Sequence, residues 1–192
     1  MLGVFLDTET NGLNPFKHKI LEIAFKIIDI ETGFCAAQYE AMIALSQAEW
    51  GLSDPDSLKV NGFSWDIAKK GRSLSQVAEE IKALFTKHRI VRGEAVFICQ
   101  NPSFDRAFFH QFFSTEEQEE LRFPYHWLDL ASMFWAISIV EDQMPWITGY
   151  SKDKIAVAYH LPPEKQPHRA MNGVNHLLQC YEAVVGFPKR PS

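Results

Sequence analysis

The 192-residue sequence contains no apolar run approaching the length of about 18 residues that a membrane span requires. Its opening, Met1-Leu2-Gly3-Val4-Phe5-Leu6, carries no basic side chain and reaches Asp7 too early for a secretory leader. Cysteine is sparse: Cys35, Cys99 and Cys180 are far apart and odd in number. That excludes a disulfide framework or a closely spaced zinc site and fits reduced core thiols in a cytoplasmic protein. Repeats, low-complexity tracts and Gly/Ser linkers are also missing, so the chain reads as one domain over residues 1–192. An excess of positive charge is lacking too. The net charge of −5 argues against coating long duplex nucleic acid, which rests on phosphate neutralisation by Lys and Arg. It leaves room for an enzyme that grips a single strand end in a local pocket. What the chain does have is 46% hydrophobic and 22% charged residues, the balance of a globular protein with a substantial core.

The hydrophobic pattern predicts an α/β fold. Val4-Phe5-Leu6 is a short buried strand that delivers Asp7-Thr8-Glu9 to its end. Residues 20–30 form a second strand, and the turn Glu31-Thr32-Gly33 leads to a third over residues 34–43, which together suggest a mixed sheet. Residues 74–87 form an amphipathic helix, with Val77, Ile81, Leu84 and Phe85 on one face and Ser73 at its start. Residues 95–99 are a continuous apolar strand followed by a helix over 103–113. Further helices are expected over 128–139, 152–159 and 170–185. Trp50, Trp135 and Trp146 read as packing residues.

Three short stretches carry chemistry. In Asp7-Thr8-Glu9, strand alternation turns residues i and i+2 to the same side, so both carboxylates face one site. Close like charges raise each other's pKa unless a cation lies between them, and a hard ion such as Mg²⁺ takes oxygen ligands. Alone, the pattern also describes a solvated strand end. Gln100-Asn101-Pro102-Ser103-Phe104-Asp105 follows the buried strand at 95–99, where α/β folds place ligands; alone, Asp105 would merely complement its helix dipole. His168-Arg169-Ala170-Met171-Asn172-Gly173 opens the last helix. A histidine there is either an ordinary surface residue or, beside a carboxylate site, a general base with a pKa near working pH.

Taken together, these stretches resemble the DEDDh exonuclease superfamily, which includes the proofreading subunit of bacterial DNA polymerase III, ribonuclease T and oligoribonuclease. Asp7 to Leu13 resembles its first motif, Asn101 to Asp105 its second and His168 to Gly173 its third. Landmarks at Ile20-Leu21-Glu22-Ile23-Ala24, Leu58 to Phe63 and Trp127 to Leu130 agree, so the likeness covers nearly the whole chain. Gln100 stands where many relatives have histidine. Gly173 occupies the position of a metal-ligating aspartate.

The resemblance implies a ribonuclease H-like mixed sheet flanked by helices. It also implies stepwise 3′→5′ hydrolysis of single-stranded DNA or RNA to nucleoside 5′-monophosphates, with the choice between DNA and RNA open. Two divalent ions, Mg²⁺ or Mn²⁺, would be held by Asp7, Glu9 and Asp105, the first spanning both ions. His168 would take the proton of the attacking water. Thr8, Thr10, Asn11, Gly12, Leu13, Asn61, Trp65, Asn101 and Phe104 are the expected substrate contacts, with Leu13 as a wedge and Phe104 stacking on a base, although both also fit core positions. Some relatives are homodimers, but the sequence carries no interface signature, and its end soon after the last helix suggests a stand-alone enzyme.

Gly173 predicts impaired cleavage. Three accounts fit it: a disabling change introduced into the chain, an end-binding protein that no longer cuts, or rescue by a neighbour. Asn175 lies about 200° round the helix and Asn172 about 100°, and a neutral amide is a poor substitute for a carboxylate, which disfavours rescue.

Overall fold

A computed structural model describes residues 1–188 of the protein. Five strands form one sheet in the order β3-β2-β1-β4-β5. They are β1 (Leu2–Thr10), β2 (Ile20–Asp29), β3 (Cys35–Met42), β4 (Ala95–Cys99) and β5 (Trp127–Asp129). β1 runs antiparallel to β2 and parallel to β4; β2 and β3 are antiparallel, β4 and β5 parallel. This is the mixed, ribonuclease H-like sheet that the sequence led us to expect.

The helices are α1 (Gln47–Trp50), α2 (Pro55–Asn61), α3 (Trp65–Ala68), α4 (Leu74–His88), α5 (Pro102–Phe109), α6 (Thr115–Glu120), α7 (Leu130–Val140), α8 (Pro145–Thr148), α9 (Lys152–Ala158) and α10 (Ala170–Val184). Alternation along the strands divides the core into two layers. Val4, Leu6, Phe25 and Phe97 pack with Val77, Ile81 and Phe85 of α4 and Phe108 and Phe109 of α5. Phe5, Ala24 and Ile98 face the other way, onto Leu130 and Phe134 of α7, Ile155 of α9 and Val174, Leu177 and Tyr181 of α10. A sheet buried on both faces explains why β2 and the first half of β1 read as nearly unbroken apolar runs.

Several expected boundaries shift. β1 is longer than Val4–Leu6, so Asp7 and Glu9 sit within the strand, held in register opposite Ala24 and Glu22. The helix expected over 103–113 starts at Pro102 and ends at Phe109. Residues 128 and 129, expected to open a helix, instead belong to β5, which pairs Trp127–Asp129 with Phe97–Cys99 of β4. Asp129 then accepts from the backbone N–H of Ala131 and Ser132 and starts α7. Five short helices, α1, α2, α3, α6 and α8, were not anticipated, because pieces this short show little periodicity. Where the sequence places a turn at 31–33, Gly33 adopts φ 73° and donates its N–H to Asp29 O, a left-handed conformation suited to glycine.

Of the three thiols, Cys99 and Cys180 are buried as expected, but Cys35 is exposed at the start of the outer strand β3. Trp50 and Trp135 are half-buried, whereas Trp146 is 57% exposed and is no core residue. Among the described residues, no helix is long and apolar enough to cross a membrane.

Candidate active site

The C-terminal ends of the adjacent parallel strands β1 and β4 open on one side of the sheet, where such folds bind ligands. A cleft of about 330 Å³ lies there, lined by Asp7, Thr8, Glu9, Gln100, Asn101, Phe104, Asp105, Ser151, Lys152, Asp153, Glu164 and His168. The four residues expected to carry catalysis therefore meet in one place, although they come from three distant stretches of chain.

Strand alternation places them. Phe5 packs edge-on against Tyr181 of α10 at 5.0 Å, and Asp7, two residues on, lies against Gly173 of the same helix. Thr8 points to the opposite layer and donates its hydroxyl to Asp105 Oδ1 of α5 at 2.8 Å, with both side chains buried. The first turn of α10 is tied to the sheet by Glu22, whose Oε2 accepts the N–H of Ala170 at 2.8 Å. A carboxylate at a helix start is favourably placed against the dipole. That contact fixes the helix carrying Gly173 and the segment carrying His168.

The carboxylates crowd one another. Burial pushes Asp7 up to about 6, and Glu164 adds to the shift while Lys152 opposes it. Glu9 is pushed up to about 8, first by burial and then by the negative charges of Asp7, Glu22 and Glu164. Asp105 is raised well above the usual carboxylate range by burial and by Asp7, against the stabilising hydroxyl of Thr8. Three acids that all resist ionisation mark a site short of positive charge.

Lys152 and Glu164, which gave no signal in the sequence, supply part of the answer. Lys152, the first residue of α9, has a side chain only 13% exposed. Its Nζ lies 2.8 Å from Glu164 Oε2, 3.8 Å from Asp7 Oδ1 and 3.5 Å from Gly173 O. Burial disfavours its charge, but Asp7 and Glu164 outweigh that effect and hold its pKa above the ordinary value. Glu164 is almost fully buried, and its Oε1 has no hydrogen-bond partner, with His168 Nδ1 3.4 Å away. His176 Nδ1 approaches Glu164 Oε2 from α10 at 3.7 Å. A lysine at a helix start and a glutamate after two prolines are both ordinary surface patterns. Only folding brings them to the cleft.

The expected metal ligands line the cleft without closing on a point. Among the described residues, no group of three or more His, Cys, Asp or Glu side chains is arranged to hold a metal ion. Asp7 faces Lys152 and fills the space beside Gly173. A β-carbon at Gly173 would stand 2.6 Å from Asp7 Cγ. Asn175 accepts from Lys26 Nζ at 2.6 Å, and neither it nor Asn172 lines the cleft, so neither amide reaches the place of the missing carboxylate.

The expected substrate contacts divide. Thr8, Asn101 and Phe104 line the cleft; Thr10, Asn11, Gly12, Leu13, Asn61 and Trp65 do not. Asn11 is fully buried and spends its amide on Glu49 O, Ser53 Oγ and the N–H of Lys19, which makes it a loop brace. Asn61 donates to Thr10 O at 3.0 Å and braces the end of β1. Thr10 donates to Gly12 O, and Gly12 packs directly against the His18 ring. Trp65 is half-buried, its ring 6.1 Å from that of Trp50. Leu13, by contrast, is 74% exposed and so is not a core residue. Phe104 is half-buried, packed 4.9 Å from Phe108 yet open to the cleft.

A mixed sheet flanked by helices, with an acidic cleft at its parallel strand ends, is the class of fold that the structure defines. The chain belongs to the exonuclease family typified by ribonuclease T, whose profile matches residues 4–179. No curated protein sequence matches it. Among solved structures, exonuclease I superposes with a TM-score of 0.80 at 16% identity, over 97% of this chain and 41% of that one. Escherichia coli exonuclease I in complex with a dT13 oligonucleotide gives 0.77 at 17% identity, over 95% and 40%. Cell-death related nuclease 4 gives 0.75 at 12% identity, over 94% and 62%. The chain thus spans about two fifths of exonuclease I, and likeness at this identity concerns the fold.

Proposed function

We propose that this chain is a single exonuclease domain acting on 3′ ends of single-stranded DNA or RNA, at a rate lowered by the glycine at position 173. The observation that carries this reading is the convergence of Asp7, Glu9, Asp105 and His168 on one cleft. The donor set suits a divalent cation: all three carboxylates offer hard oxygen ligands, and burial makes each costly to ionise without a positive neighbour. Asp7, Glu9 and Asp105 would hold Mg²⁺ or Mn²⁺, which when bound polarises the scissile phosphate and acidifies water.

The chain's own groups do the rest. His168, at the cleft wall with Nδ1 3.4 Å from Glu164 Oε1, accepts the proton of the attacking water, and Glu164 orients the ring. Phe104 offers a face on which the terminal base stacks, and Asn101 lies beside it at the cleft mouth. Leu13, exposed on the loop after β1, is the wedge against the terminal nucleotide. Thr8 orients Asp105 from the cleft wall.

A binding protein for strand ends that does not cut is the second reading. Gly173 and the Lys152 ammonium beside Asp7 favour it. A 5′-labelled oligonucleotide, as DNA and as RNA, incubated with Mg²⁺ or Mn²⁺ and either the chain or its Gly173→Asp variant, separates the two. Stepwise shortening from the 3′ end, faster with the variant, supports the enzyme; retention of the oligonucleotide without shortening by either protein supports the binder.

A further inference from the structure

Lys152 stands where cationic charge is most needed. Its Nζ lies between the carboxylates of Asp7 and Glu164 and faces the carbonyl of Gly173, the residue whose side chain is missing. No other Lys or Arg side chain lines the cleft among the described residues. The ammonium is anchored on both sides. Glu164 holds it at 2.8 Å from behind, and its stem is buried as the first residue of α9, which Ser151 caps through the N–H of Lys154. Such a group does not swing freely out of the site. A side chain of 13% exposure paired to one of 2% would leave an uncompensated buried charge if the pair were broken.

We propose that the Lys152 ammonium is a permanent cation of the active site, neutralising Asp7 in place of one of two divalent ions, so that the chain binds a single divalent ion. This rests on the metal-dependent exonuclease reading above. With no carboxylate at Gly173 and an ammonium at Lys152, the cleft holds one negative ligand fewer and one positive charge, which together lower the demand for a second ion. Glu164 keeps one buried oxygen, Oε1, without a hydrogen-bond partner. Glu164 is therefore the counter-ion of Lys152 and retains an oxygen to orient His168.

The test is a Mn²⁺ titration of the whole chain, followed by calorimetric stoichiometry and by low-temperature electron paramagnetic resonance. The expected result is one Mn²⁺ per chain with the six-line spectrum of an isolated ion. Lys152→Met should bind two ions and show the signature of a spin-coupled pair, whereas Lys152→Arg should still bind one. Two ions in the unaltered chain, none at all, or a Lys152→Met variant that folds and still binds one would overturn the proposal. Where the methionine variant does not fold, the ion count of the unaltered chain still decides between one ion and two. Oligonucleotide digestion measured across the same titration separates the two claims. If neither the chain nor Gly173→Asp shortens the strand, the enzymatic reading fails while the stoichiometry stands on its own.

Discussion

The carboxylate of Asp7 lies in the space that a side chain at Gly173 would occupy, with Cγ 2.6 Å from where a β-carbon would stand. The two residues come from the central strand and the last helix, and they are packed as a pair. A side chain at 173 therefore cannot be added without moving the Asp7 carboxylate.

Gly173→Asp is expected to raise the digestion rate by at least about tenfold, equivalent to roughly 1.4 kcal/mol of transition-state stabilisation. Aspartate is only slightly better than glycine within a helix, by roughly a few tenths of a kcal/mol, so helix propensity does little to offset moving Asp7. Single-turnover rates on a labelled oligonucleotide check it. Equal rates for the two proteins would remove position 173 from the set of functional ligands.

Thr8→Val tests the buried hydroxyl that supports Asp105. Without the donor, Asp105 faces Asp7 and a desolvated environment with less compensation. Leaving a buried carboxyl oxygen without its partner should cost about 1–3 kcal/mol in metal-free protein at neutral pH, measured by urea unfolding. Divalent-ion affinity should fall as well. An unchanged midpoint would mean that the hydroxyl carries no weight.

Glu9 sets a pH dependence. Its folded value of about 8 lies above the ordinary 4.5, so the folded state binds more protons than the unfolded state between those limits. Its contribution to stability is fully present below about pH 4.5 and is lost as pH rises through 8. Glu9→Gln should flatten that slope and stabilise the metal-free protein at pH 8 by on the order of 2–4 kcal/mol, at about 1.4 kcal/mol per unit. Melting temperatures at about pH 5 and pH 8, with and without Mn²⁺, check it. A slope of equal steepness in the variant would refute the assignment to Glu9.

Phe104→Ala addresses substrate grip. Base–aromatic stacking of about 1–3 kcal/mol predicts a rise in KM of at least roughly fivefold, with a smaller change in kcat. Some stability will be lost as well, because the ring also packs on Phe108. Fluorescence anisotropy with a labelled oligonucleotide separates the two effects. Unchanged affinity would assign Phe104 to packing alone.

The sequence by itself determined the alternation that puts Asp7 and Glu9 on one side of a central strand. It also determined the apolar runs that build the sheet and the three stretches that converge on the cleft. Each depends on spacing along the chain, and spacing is local. Tertiary structure decided how the carboxylates are neutralised and which polar groups remain free to bind. Lys152 and Glu164 are 12 positions apart and far from either strand motif in sequence, yet they meet Asp7 because α9 and α10 pack on the same face of the sheet. Asn11 and Asn61 read as substrate contacts, but their amides donate to backbone carbonyls 38 and 51 residues away. Charge compensation and hydrogen-bond satisfaction depend on which groups become neighbours once water has been excluded, and the order of residues along the chain does not contain that information.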